Sequence, residues 1–305
     1  MRDLKQFVII LGTVLITMLF SGCSPTRMAV NMVGDALASG GDTWSSDDDP
    51  LLIKDALPFS LKLTESLLAK SPEHDGLLFT AASGFTQYAY AFVQMDAERL
   101  EDSDFEKALE MKERAKKLFI RARGYGLQAL AARHEGFIEE FRIDPDVTIK
   151  RTNKEDVRML YWTAVAWAAS IAVDKTDMDA IGDLPFVSIL IDRALELDPD
   201  WSSGTLQSFM VTYAMTRQDL AMPPEEAARA YYARALELTG GRDVGVHVAL
   251  AESVSVANQD RKEFETLLNK ALEVDVDERK EWRLFNIIMQ QRAEWLLSRT
   301  DELFF

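Results

Sequence analysis

Apolar residues in this chain recur at the spacing of an α-helix. Leu78, Ala81, Phe85, Tyr88, Phe92 and Met95 follow one another at steps of 3 and 4. At 3.6 residues per turn, those steps put all six on one helix face. Alternation of apolar and polar residues over short runs between turn signals marks a half-buried strand, and no such run stands out. Ala occurs 35 times and Leu 36 times, and both rank high in intrinsic helix propensity. The expected fold class is therefore all-α. The period predicts helices over about 51–70, 75–101, 104–134, 153–173, 184–197, 202–220, 224–239, 243–258, 260–274 and 278–299. Helix breakers separate many of them: Pro72, Pro145, Pro199, Pro223 with Pro224, and Gly240 with Gly241.

A short string repeats. Arg193-Ala-Leu-Glu-Leu197 returns as Arg234-Ala-Leu-Glu-Leu238 and as Lys270-Ala-Leu-Glu-Val274, at offsets of 41 and 36 residues. The 34-residue period of a tetratricopeptide repeat is close to these. In the second copy Ala228, Tyr232 and Ala235 occupy the small, aromatic and small positions through which paired helices approach. Such hairpins stack into a curved array whose concave face binds other polypeptides. Residues 50–305 are expected to form one tetratricopeptide-like domain, an α-solenoid.

The N-terminus reads as an address. Arg2 and Lys5 precede an uncharged run of 14 residues, 7–20. That length suits a signal-peptide core and is too short to span a bilayer. Ser21, Gly22 and Cys23 follow, in the order of a bacterial lipoprotein signal, with Phe20 where that motif usually has Leu. The resemblance implies that residues 1–22 are a signal peptide and that Cys23 is lipidated. Residues 23–49 would then be a short helix (about 26–38) and a flexible Gly/Ser/Asp tether. Ser24 after the cysteine favours the outer membrane, so the expected location is the periplasmic face of a bacterial membrane, lipid-anchored at Cys23.

Composition and motifs remove most chemistry. With 34 basic against 50 acidic residues and a net charge of −16, there is no Lys/Arg excess for a phosphate backbone, so nucleic acid is not an expected partner. One cysteine excludes intramolecular disulfides and Cys-rich zinc sites. The Asp47-Asp48-Asp49 run lacks the alternating ligands, Gly and Glu of a calcium loop. His134-Glu135 begins like a zinc-protease motif, but Ile138 stands where the second His must be. Gly124-Tyr125-Gly126 fits a dinucleotide fingerprint loosely and follows a helical run, not a strand. No catalytic residue, metal ligand or cofactor is assigned, and the chain is not read as an enzyme.

What remains is an aromatic and polar constellation. Tyr88, Phe92 and Gln94 lie on one helix, Tyr161, Trp162 and Trp167 on an Ala-rich second, and Gln290 and Gln291 on the last long one. Aromatics at helical spacing usually fill a core. The alternative is an apolar cavity with a few polar handles, the usual form of a small-molecule site.

The chain resembles the T component of TRAP transporters (the TatT family). The resemblance is carried by residues 56–61 (ALPFSL), 65–69 (ESLLA), 77–101, 114–123, 156–167 (DVRMLYWTAVAW), 193–198, 248–253 and 283–303. Where the family often has Pro in an Arg-His-Pro-Gly-Phe turn, this chain has Glu135. The resemblance implies a non-enzymatic periplasmic lipoprotein, a homotrimer that docks the substrate-binding P component. It also implies holding or passing a small organic or hydrophobic ligand. The matching stretches cover Tyr88, Gln94, Tyr161, Trp162, Gln290 and Gln291. A general tetratricopeptide lipoprotein serving as an adaptor in envelope or outer-membrane protein assembly is the alternative. An envelope enzyme working through its many carboxylates is a third reading.

Overall fold

The structure, a computed structural model, describes residues 25–305. The predicted signal peptide and Cys23 lie outside the described residues. Among the described residues there are helices and no strands, so the chain is all-α. None of those helices is long and apolar enough to cross a membrane.

The elements run α1 (Pro25–Ser39), α2 (Gly41–Ser45), α3 (Pro50–Leu68), α4 (Asp75–Ala89), α5 (Met95–Leu100), α6 (Phe105–Arg133), α7 (Phe137–Ile143) and α8 (Pro145–Thr148). They continue with α9 (Val157–Ala172), α10 (Met178–Ile181), α11 (Leu184–Leu197), α12 (Trp201–Tyr213), α13 (Pro224–Thr239) and α14 (Val244–Leu250). The last are α15 (Arg261–Glu273), α16 (Arg283–Ser298) and α17 (Thr300–Leu303).

Their starts are set by short acidic side chains. Asp49 accepts the backbone N–H of Leu51 and Leu52, with Pro50 in the first turn. Asp104 does the same for Lys107 and Asp260 for Glu263. Each such cap contributes about 1 kcal/mol. At the other end, Gly240 stops α13 in the left-handed conformation (φ 63°).

Packing follows the chain. α4 lies on α6, α6 on α9, and α9 on α11; α12 lies on α13, α14 on α15, and α15 on α16. Small residues set the closest approach. On α6, Ala115, Ala122, Gly126 and Ala129 are buried. A Cβ built on Gly126 would stand 2.1 Å from the Thr163 hydroxyl oxygen of α9. The array also returns on itself: α16 packs against α2 and α3 at the opposite end of the sequence.

α6, α11, α13 and α15 lie where the apolar period puts them. Three expectations need correction. The helices expected over 75–101 and 243–258 are each interrupted by a π-helical turn, Tyr90–Gln94 and Ala251–Ser255. The helix expected over 202–220 opens instead on three left-handed residues, Ser202, Ser203 and Gly204, and ends in a 3₁₀ turn, Ala214–Thr216. The stretch 39–49, expected to be a flexible tether, contains α2, whose Trp44 packs on the core. Asp48 pairs with Arg283 at 3.4 Å. A Trp brings some 150–250 Å² of largely apolar surface, several kcal/mol at about 25 cal/mol per Å² if fully buried. The partial burial of Trp44 offsets part of the cost of ordering these residues.

His74 joins the first elements. Its Nδ1 accepts the Leu77 N–H at 3.2 Å and caps α4. Because Nδ1 is the acceptor, Nε2 carries the proton in the neutral ring. Nε2 lies 3.3 Å from the Asn31 carbonyl and 3.3 Å from Asp35 Oδ1, both on α1. One ring thus starts α4 and holds α1 against it.

Candidate functional site

Each π turn holds one residue more than an α-turn. The extra residue leaves i to i+5 bonds: Met95 N–H donates to the Tyr90 carbonyl, and Val256 N–H to the Ala251 carbonyl. Such turns concentrate at functional sites because they redirect side chains without ending the helix. Arg292 of α16 bridges the two regions.

Its Nε and Nη2 donate to Glu252 Oε1 at 3.1 and 2.6 Å, and Nη1 donates to Glu98 Oε2. Glu252 belongs to the second π turn and Glu98 to α5, just past the first. Gln94, the last residue of the first turn, donates from Nε2 to Glu98 Oε1 at 2.9 Å. The guanidinium lies over the Trp295 ring, 4.4 Å from its centroid.

One cation faces two carboxylates here, and the environment is dry. Burial pushes the Glu252 carboxyl above the ordinary glutamate value, against the lowering pull of Arg292. The Arg292 guanidinium opposes its own burial through Glu252 and Glu98, which hold it charged. Burial also raises the Tyr90 hydroxyl, and Glu252 adds to the effect. Yet the Glu252 and Glu98 side chains keep 27% and 21% of their exposure. The triad is therefore mostly buried, with its two carboxylates in partial contact with solvent.

A second cluster lies along α9, α12 and α14. Tyr161 meets Trp162 edge-on at 5.1 Å, Trp201 at 5.2 Å and Phe209 edge-on at 6.1 Å. Phe209 stacks on Tyr213 at 5.3 Å. The left-handed turn at Ser202 and Ser203 follows Trp201 directly. Non-glycine residues there cost about 1–2 kcal/mol each, a strain offset by the aromatic packing around Trp201. Asp243 raises the Tyr161 hydroxyl further after burial. Asp243 accepts from Ser208 Oγ at 2.8 Å and from the Gly245 N–H at 2.8 Å.

Burial lifts the Asp243 carboxyl above its usual value, more than those bonds lower it. A carboxyl raised in the folded state stabilises most fully below its unfolded pKa of about 3.9. That contribution is lost as pH rises through the folded pKa. Asp243→Asn removes the dependence. Denaturant titrations from pH 4 to 7 should show the wild type losing stability relative to the variant as pH rises. A difference independent of pH would contradict the assignment.

The TRAP transporter T-component family model matches residues 46–304. The chain belongs to that family. A relative in Treponema pallidum (strain Nichols), itself described only as an uncharacterized protein, is 26% identical over 305 residues, covering 94% of each chain. The family is one of transport accessory subunits.

The T component disperses the residues singled out by sequence. Gln94 alone joins the Arg292 cluster, and Phe92 shares its π turn. Tyr88 is buried against Phe92 at 5.9 Å, and its hydroxyl accepts from Arg114 Nη2 at 3.2 Å. Tyr161 and Trp162 belong to the aromatic cluster. Trp167 stacks on Phe186 at 5.4 Å, lies under Arg123 and donates from Nε1 to Asp183 at 3.1 Å. Gln290 closes the end of α15, donating to the carbonyls of Ala271, Leu272 and Val274. Gln291 is exposed. Sequence reasoning missed Glu98, Asp243, Glu252, Arg292 and Trp201. Arg292 had a signal: a charge among Ile288, Met289, Ala293 and Leu296, the buried face of its helix.

Proposed function

We propose that this T component is a lipid-anchored periplasmic scaffold that docks the P component of its transporter and holds a small organic or hydrophobic ligand for it. The observation that carries the reading is the ion cluster at Arg292. It sets a charged triad, the Gln94 amide and the Trp295 face where the first and last hairpins meet. A cluster with few polar groups beside an aromatic face suits a ligand with a polar head and an apolar body. The cluster around Tyr161, Trp162 and Trp201 supplies more apolar surface. Gln290 fixes the end of the helix that carries Lys270.

Homotrimer formation is supported by an unpartnered stripe on α3. Leu52, Phe59 and Leu63 stand at helical spacing with 57%, 75% and 37% exposure. Large apolar side chains grouped in this way mark interaction surfaces. Anchoring at Cys23 on the periplasmic face of the membrane, with the outer membrane favoured, follows from the order of the first 24 residues.

Two experiments test the reading. Cys23→Ser should abolish uptake of labelled palmitate and release the protein from membranes; unchanged labelling overturns the anchor. Affinity capture with the body lacking residues 1–23 should retain the P component encoded with the same transporter. Failure to retain it, with both proteins folded, overturns the docking.

A further inference from the structure

A groove of about 420 Å³ runs between α13 and α15 and shares no lining residue with the Arg292 cluster. Its floor is apolar and fixed. Leu250 and Leu267 are buried, and the Tyr232 ring is held by its hydroxyl on His247 Nδ1 at 2.9 Å. Burial, with a smaller push from Lys270, lowers His247 to about 4. The ring is therefore neutral at pH 7 and accepts this bond.

One wall carries Lys262, Thr266 and Lys270, spaced four apart on one face of α15. Both lysines are exposed, and neither has an ion-pair partner among the described residues. The neighbouring cations Arg229, Arg234, Arg242 and Arg261, by contrast, are all paired. At the groove's edge Arg229 donates to Glu263 at 2.6 and 3.1 Å and to Glu225 at 2.9 Å. Asp260 spends one carboxylate oxygen on the cap of α15. The groove's lining residues carry three cations, Arg229, Lys262 and Lys270, against two carboxylates, Asp260 and Glu263, in a chain of net charge −16.

Spacing identifies the ligand class. Eight residues of helix separate Lys262 from Lys270 by about 12 Å. In an extended peptide rising about 3.3 Å per residue, acidic side chains four apart stand about 13 Å apart. Thr266, midway, donates to the Lys262 carbonyl at 2.7 Å, which leaves its oxygen free to accept a peptide N–H. A small carboxylate would reach only one lysine, because the charges lie along a trough and do not converge.

We propose that this groove binds an extended acidic segment of a partner polypeptide. Its carboxylates, four residues apart, meet Lys262 and Lys270, and an intervening apolar side chain rests on Leu250 and Leu267. The assignment is independent of P-component docking, since it names a chemistry and not a carrier.

The test is fluorescence anisotropy with the full chain in detergent. The probe is a labelled heptapeptide with glutamate at its second and sixth positions and leucine at its fourth. Binding should strengthen at low salt and weaken about tenfold or more in Lys262→Glu/Lys270→Glu. The milder Lys262→Gln/Lys270→Gln should weaken it in the same direction, and Lys150→Glu should leave it unchanged. A probe with glutamine in place of glutamate should bind as weakly as the charge-reversed variant. The proposal is overturned by any of three results: no wild-type binding at about 1 mM, equal binding by the charge-reversed variant, or displacement by free glutarate at the peptide's own concentration.

Discussion

Arg292→Met should lower the stability of the T component by about 3 kcal/mol. Truncating one member of a buried ion group leaves the others uncompensated, which costs about 3–5 kcal/mol. The lower end applies because Glu98 and Glu252 keep 21% and 27% of their side-chain exposure. In a domain of this size, 1 kcal/mol moves the midpoint by roughly 2–4 °C. Thermal unfolding should therefore fall by about 6–12 °C. Adding Glu98→Gln and Glu252→Gln to the variant should restore much of the loss, since the penalty is the unpaired charges. A loss below about 1 kcal/mol would mean that solvent screens the triad, and that the first and last hairpins are held together by packing alone.

Gly126→Ala should cost about 1–2 kcal/mol net, although alanine is the better helix former by about 1 kcal/mol. The added Cβ would lie 2.1 Å from Thr163 Oγ1, 3.0 Å from its Cβ and 3.2 Å from its Cα. Thr163 is fully buried and donates to the Met159 carbonyl at 2.6 Å, so it has nowhere to turn. α6 and α9 must separate, and overpacking of that kind usually costs about 1–3 kcal/mol. Thr163→Ala in the same chain should recover part of the loss by removing the nearest atom. Denaturant unfolding of the single and double variants checks both statements. A stabilised Gly126→Ala would contradict the close approach.

These two residues also separate what sequence discloses from what it does not. The apolar period located α6, α11, α13 and α15, because a helix that buries one face must repeat its apolar residues every three or four positions. It did not disclose the π turns at Tyr90 and Ala251. A single extra residue shifts the register but leaves the local composition unchanged. The helical run before Gly126 already argued against a phosphate loop, but its role as a packing glycine depends on Thr163, 37 residues away in sequence. The partners of Arg292 lie 40 and 194 residues distant, beyond any local pattern. The aromatic residues were legible as a set, since their spacing is helical. Their division among the Tyr88–Phe92 contact, the Trp167 stack on Phe186 and the Tyr161–Trp162–Trp201 cluster depends on tertiary neighbours. Trp44, one large apolar side chain in a polar stretch, was enough to convert an expected tether into docked structure.

The central claim is that this helical body recognises the P component of a TRAP transporter. Isothermal titration calorimetry of that P component into the body lacking residues 1–23 tests it most directly. Saturable binding with a Kd in the micromolar range or tighter, reproduced by co-sedimentation, is the predicted result. No heat and no co-sedimentation at about 100 µM of each folded protein would contradict the account.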